Sequence, residues 1–272
     1  GLVMNLTNYI DDLQSRGVMT FTLAGALQAT GITRVAFYNA VSRLKKAGRL
    51  ITPRQGFYVI VRLEDRRAGG PPPSHYIHQL MEYLDKEYYI GLTSAAAMYG
   101  AAHQAAQILQ VVTPSRMRPI RAGRASIQFI VNHNIDLVST TLLKTPAGYV
   151  RVSIPEATAV DLVHYSKQAG GLDNVSDILI ELSEEKELDP EKLFQASSRM
   201  HDRATAQRLG YLLDSSGFYP AVSILAGWLS KQKVTRIPLL ASGRRNNVVH
   251  NRRWQVLINQ ELNPAVNRRT PA

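Results

Sequence analysis

Apolar positions across residues 4–65 recur at helical spacing and then shift to short strand-like runs. Leu6, Tyr9, Ile10 and Leu13 fall three and four apart, which lays one apolar stripe along a helix. Gly17 can end that helix, because glycine enters the left-handed region at little cost. Thr20 or Thr22 can cap a second, alanine-rich helix over Leu23–Thr30, stopped by Gly31. Thr33 is placed to cap a third over Arg34–Ala47, in which Phe37, Val41 and Leu44 share one buried face. After Gly48, Leu50–Thr52 and Phe57–Ile60 read as two strands around the turn Pro53–Gly56, with Arg54 at the tip. Three helices and a hairpin make the winged helix-turn-helix pattern over 4–65.

Residues 66–75, rich in arginine, glycine and proline, predict a linker that neither helix nor central strand can cross. A larger domain is expected over 76–262 and a flexible tail over 263–272. Helices are predicted at Tyr76–Glu87, from Thr93 through Tyr99, and at Glu156–Lys167, Val175–Leu182, Pro190–Met200, Ala204–Asp214 and Ala221–Lys231. Strand-like runs lie at Ile108–Val112, Ser126–Val131, Tyr149–Ser153, Val234–Leu240 and Trp254–Ile258. The expected fold class is mixed α/β: a winged helix followed by a larger, helix-rich α/β domain with a small sheet.

Composition narrows the chemistry. The 272 residues contain no cysteine, which excludes disulfides, thiolate metal sites and thiol nucleophiles. No run approaches the roughly 18 apolar residues of a membrane span, and the start lacks a signal-peptide pattern. A cytoplasmic protein is expected, with Gly1–Val3 ahead of Met4 reading as a tag remnant. The formal charge of +11 favours a polyanionic partner. Its distribution is more telling: residues 13–63 hold no acid at all, residues 161–240 are slightly acidic, and residues 241–272 are basic again through three arginine pairs.

The third helix carries the sharpest signal. Opposite its apolar stripe it presents Val35, Tyr38, Asn39, Ser42, Arg43 and Lys46, a face of hydrogen-bonding, aromatic and cationic groups without a carboxylate. Asparagine can bond bidentately to adenine and arginine to guanine, so Asn39 with Arg34 or Arg43 are the candidate base readers. Lys45, Lys46, Arg49 and Arg54 are candidate phosphate contacts, with Thr33, Tyr38 and Ser42 completing the set. Burial of Tyr38 competes with a DNA contact, and a winged helix serving only protein interaction is the plainer alternative. Arg116, Arg118, Arg121 and Arg124 could bind phosphate, engage an acidic protein surface or simply be solvated.

Catalysis finds little support. His75 and His78 lack a glutamate at metal-binding spacing. Asp189, Pro190 and Glu191 are what a helix start requires, and Glu156 and Asp161 read as a helix-terminal charge and a local hydrogen-bonding group. No phosphate-binding loop, nucleophile elbow or kinase signature is present. The expectation is a protein that is not an enzyme, with no metal and no cofactor.

Three blocks carry a family likeness: Ser42–Leu50 with Gly56–Tyr58, Leu92–Ala97, and Val150–Val163 reading VRVSIPEATAVDLV. In this order they resemble the AbiEi antitoxins of type IV toxin–antitoxin systems, with Ile154 where the family often has threonine. The resemblance implies an N-terminal domain that represses its own operon at inverted repeats. It further implies a C-terminal domain that counters an AbiEii-like nucleotidyltransferase toxin. A ligand-responsive regulator without a toxin partner and a nucleic-acid-processing enzyme are the competing readings.

Overall fold

The computed structural model describes residues 4–102 and 107–262, so Gly1–Val3 and the tail expected over 263–272 lie outside the described residues. Asn5 accepts a hydrogen bond from the Asn8 N–H and opens α1 (Leu6–Ser15). A short strand β1 (Thr20–Thr22) runs straight into α2 (Leu23–Thr30), capped by the Thr22 hydroxyl on the Gly25 N–H. Gly31 leaves α2 in the left-handed conformation, and Thr33 caps α3 (Arg34–Lys46) through the Ala36 N–H. The hairpin β2 (Leu50–Arg54) and β3 (Phe57–Ile60) follows. β1 pairs antiparallel with β3, giving the order β1-β3-β2. Sequence spacing gives no sign of that first strand, because three residues carry no visible alternation and its threonines look like caps. Its Phe21 stacks on Tyr58 with centroids 5.2 Å apart, in a core shared with Leu6, Ile10, Phe37 and Leu44.

Two compact units emerge, and their boundaries differ from those expected at 65 and 75. Of the described residues, the first takes in 4–89, 107–133 and 142–151, and the second takes in 90–102, 134–141 and 152–262. Instead of a spacer solvated throughout, the segment is packed chain from Gly69 to His75, with only Arg66, Arg67 and Ala68 exposed. Gly70, Pro71 and Pro73 are buried, and Pro73–His75 makes a turn of 3-10 helix leading to the fully buried Tyr76. Gly69 and Gly123 both have left-handed φ and lie backbone against backbone, so a Cβ on Gly123 would collide with the Gly69 carbonyl and one on Gly69 would be crowded at 3.1 Å. Composition marked this stretch as unable to continue a helix or strand, but it could not report burial.

After α4 (Ile77–Tyr83) come β4 (Tyr89–Ile90), α5 (Leu92–Met98), β5 (Ile108–Thr113), β6 (Ile120–Ala122), β7 (Ala125–Val131), β8 (Thr140–Thr145) and β9 (Gly148–Ser153). The strands form a six-stranded sheet in the order β6-β7-β5-β4-β9-β8. β5 and β7 run parallel in unbroken register from Ile108 opposite Ser126 to Thr113 opposite Val131, while β6 is antiparallel to β7.

The second unit is built around α6 (Pro155–His164), in which every residue from Glu156 to Val163 is buried. It packs against α5, α7 (Leu172–Glu185), α8 (Pro190–Arg199) and α9 (Arg203–Ser215). α10 (Tyr219–Leu229) covers α8 and α9, and β10 (Ile237–Pro238), β11 (Val249–Asn251) and β12 (Val256–Ile258) make a second small sheet. No helix among the described residues is long and apolar enough to cross a membrane.

Trp254 is buried against Gly210 of α9 and donates its indole N–H to Asp214 at 2.9 Å. A Cβ at Gly210 would overlap the indole. Gly210→Ala is therefore expected to lower stability by about 1–3 kcal/mol through overpacking, read as an earlier urea midpoint by tryptophan fluorescence.

Candidate nucleic-acid interface

Helical periodicity alone dictates which side chains of α3 face outward. Phe37, Ala40, Val41 and Leu44 are buried, whereas Thr33, Arg34, Val35, Tyr38, Asn39, Ser42, Arg43, Lys45 and Lys46 are all exposed. Val35 is 71% exposed and Tyr38 45%, at positions one turn apart on the same face as Asn39 and Ser42. Tyr38 is both exposed and packed, since its ring also lies edge-on to the buried Phe37, with centroids at 5.5 Å. No carboxylate among the described residues forms an ion pair with Arg34, Arg43, Lys45 or Lys46. Arg34 even stands in the first turn, where the helix dipole disfavours a cation.

Two residues expected to meet phosphate are engaged elsewhere. Arg49 donates to Asp11 of α1 at 3.2 Å, tying the α3–β2 connection to α1. Arg54 ends β2 rather than standing at a free tip, and its Nη2 donates to the carbonyl of Arg118 at 2.7 Å. Burial, then the neighbouring Arg118 charge, hold the Arg54 guanidinium below its ordinary pKa. Beside it, the Tyr83 hydroxyl donates to the Gln55 carbonyl at 2.9 Å, and the Tyr83 ring packs on Phe57. The wing is thus seated against α4 and β6. These partners lie far along the chain, so spacing near the hairpin gave no sign of them.

Arg116, Arg118, Arg121 and Arg124 belong to the same compact unit as the winged helix. All four are exposed, and none pairs with a carboxylate of the described residues. Arg121 lies on β6 between the buried Ile120 and Ala122, so strand alternation turns it outward.

These features define a winged-helix transcriptional-regulator domain followed by a second domain rich in helix. Residues 8–61 match the family model described as "Transcriptional regulator, AbiEi antitoxin", and residues 89–215 match the "AbiEi antitoxin C-terminal domain". The chain belongs to the AbiEi antitoxin family. Among solved structures it is similar to the RV2827C protein from Mycobacterium tuberculosis, at 17% identity over 94% of this chain and 92% of that one, with a TM-score of 0.65. That likeness is one of fold. A nucleotidyltransferase-like antigenic protein from Paracoccidioides brasiliensis aligns at 12% identity over 53% of this chain and 89% of its own, with a TM-score of 0.34. No curated protein matches the chain.

Within the matched antitoxin domain lies a polar cluster that sequence reasoning missed. Asp161, fully buried on α6, accepts from His201 Nε2 at 2.8 Å. The His201 ring stacks flat on His164, with centroids at 3.7 Å. His164 Nδ1 meets the Thr205 hydroxyl at 2.9 Å, and Thr205 donates in turn to Asp202, the N-cap of α9. No spacing rule joins histidines from two different elements. Asp161 therefore does more than the local bonding expected of it, while Asp189 caps α8 through the Lys192 N–H as a helix start should. His78 faces the Tyr88 hydroxyl at 2.8 Å. Glu156 is buried, and that burial raises its pKa against the opposing hydrogen bond from the Asp189 backbone.

Burial and then His201 push the His164 pKa below its ordinary value, although Asp202 and Asp161 pull it up. Because the folded chain binds this proton less readily than the unfolded one, the stabilising contribution is complete above about pH 6.5. It is lost as pH falls through the folded value. Asp202 adds a second contribution of the same sign at lower pH: burial raises its pKa, but the Thr205 hydroxyl and N–H, with the His164 and Arg208 charges, together leave it lowered. Urea unfolding across a pH series is expected to show a shallower loss of stability just below about pH 6.5 in His164→Gln than in the natural chain, with the loss in the carboxylate range retained.

Proposed function

We propose that this protein is the antitoxin of a type IV toxin–antitoxin pair and the repressor of its own operon. It reads operator DNA through α3 and counters an AbiEii-like nucleotidyltransferase toxin through its C-terminal domain. Family membership supports the class; the toxin half rests on that membership. The observation that carries the DNA half is the outward face of α3, exposed along its length and free of carboxylate partners among the described residues. A solvated helix gains from interspersed glutamates, whereas a helix entering a major groove must avoid them, since phosphates line both walls. Asn39 offers both a donor and an acceptor to adenine, and Arg34 or Arg43 a fork to guanine. Val35 supplies an apolar surface for a thymine methyl, while Ser42, Thr33 and Tyr38 offer hydroxyls. Lys45 and Lys46 are free to neutralise phosphate.

Binding of the full chain to a duplex taken from immediately upstream of its own reading frame tests the proposal. Neutralising about six phosphates gives a log–log salt slope near −5. Asn39→Ala is expected to cost about 1–3 kcal/mol and to relax preference at one base pair. Lys46→Ala should weaken every duplex alike. Affinity that ignores salt, or Asn39→Ala without effect on sequence preference, would remove the reading. Cells carrying the cognate toxin should still be protected by the Asn39→Ala chain, because the two roles sit on different domains.

A further inference from the structure

A wing usually lies along the phosphate backbone beside the groove that the third helix occupies. Here its foremost cation is half-buried and already bonded to a neighbouring connection. Arg54 is bonded to the Arg118 carbonyl, the Gln55 carbonyl accepts from Tyr83, and Gly56 has the Tyr83 hydroxyl so close that no Cβ would fit. The same neighbourhood is closed from the other side, where the Arg124 N–H approaches the Ala68 carbonyl at 3.4 Å and Gly123 lies on Gly69. β2 packs along β6. Anything that runs beside this wing therefore meets the β5–β6 connection and the β6–β7 turn as well.

Those two connections hold Arg116, Arg118 and Arg124, and β6 between them holds Arg121, all exposed and without a carboxylate partner among the described residues. The residue whose carbonyl holds Arg54 also projects its own guanidinium, so the wing's anchor is itself a cation. Four like charges in one stretch repel each other unless an anion joins them. Building on the DNA-binding reading above, we propose that Arg54 is a positioning residue that seats the wing. Phosphate contact beside the wing then falls to the arginines of the β5–β7 segment, Arg118, Arg121 and Arg124 foremost. The DNA footprint thus extends beyond the winged helix onto the sheet.

Salt titrations of the full chain on two duplexes, one from upstream of its own reading frame and one of scrambled sequence, separate the possibilities. R118A leaves the carbonyl that holds Arg54 in place, so the triple variant R118A/R121A/R124A removes charge and keeps the strut. It should bind both duplexes more weakly and to the same degree, with a slope shallower by about 0.9 for each phosphate no longer neutralised and an unchanged melting temperature. The charge-conserving R118K/R121K/R124K chain should keep the slope of the natural protein, which guards against a folding defect in the triple alanine. R54Q should keep that slope too, while the hairpin becomes easier to cleave by protease. A full slope in the triple alanine variant overturns the proposal and turns these arginines towards an acidic protein surface. A shallower slope in R54Q also overturns it, returning Arg54 to phosphate. If the natural chain binds neither duplex in a salt-sensitive way, the DNA-binding reading fails, and this proposal with it.

Discussion

Where Gly69 meets Gly123, two backbones touch with no side chain between them, and the arrangement of the first unit depends on that approach. Each glycine is in the left-handed region, and the Gly69 carbonyl already fills the room a Cβ on Gly123 would need. Just beyond this contact Pro71 and Pro73 are buried, and β6 packs along the wing strand β2. The hydrogen bonds from Arg54 and Tyr83 then fasten the turn end of the hairpin. An isolated two-stranded hairpin is marginal in water; this one is braced by β1 on one edge and by β6 and α4 beyond it.

The winged helix was legible in sequence because its signals are local. Spacings of three and four fixed the helices, and Thr22, Thr33 and Asp189 announced their caps within three residues of the N–H groups they accept from. β1, β4, β6 and β11 were not legible, since two or three residues display no period, and the six-residue β8 was missed because TTLLKT shows no clean alternation of apolar and polar positions. Residues 66–75 show the opposite error. Glycine and proline forbid regular structure, yet they suit close backbone packing, and only tertiary contacts decide between a loose spacer and a packed one.

The candidate site divides in the same way. The outward face of α3 follows from about 100° per residue, so Asn39, Ser42 and Arg43 were found together and are exposed together. What spacing could not supply was occupancy. Arg49 finds Asp11 38 residues earlier, and Arg54 finds the Arg118 carbonyl 64 residues later. Similar logic hides the stacked His164 and His201, which come together only once α6 and the start of α9 are packed. Composition counts cations; the fold decides which of them remain available.

The last turn of α3 holds Arg43, Lys45 and Lys46 with no acid to balance them. At that end the unpaired carbonyls give the helix a partial negative charge, and cations there are favourable whether or not an anion is nearby. The same three side chains that would face a duplex therefore also keep the helix wound in its absence. A surface shaped before its partner arrives forfeits little conformational entropy on encounter, so association can approach the limit set by orientation and electrostatic steering rather than by refolding.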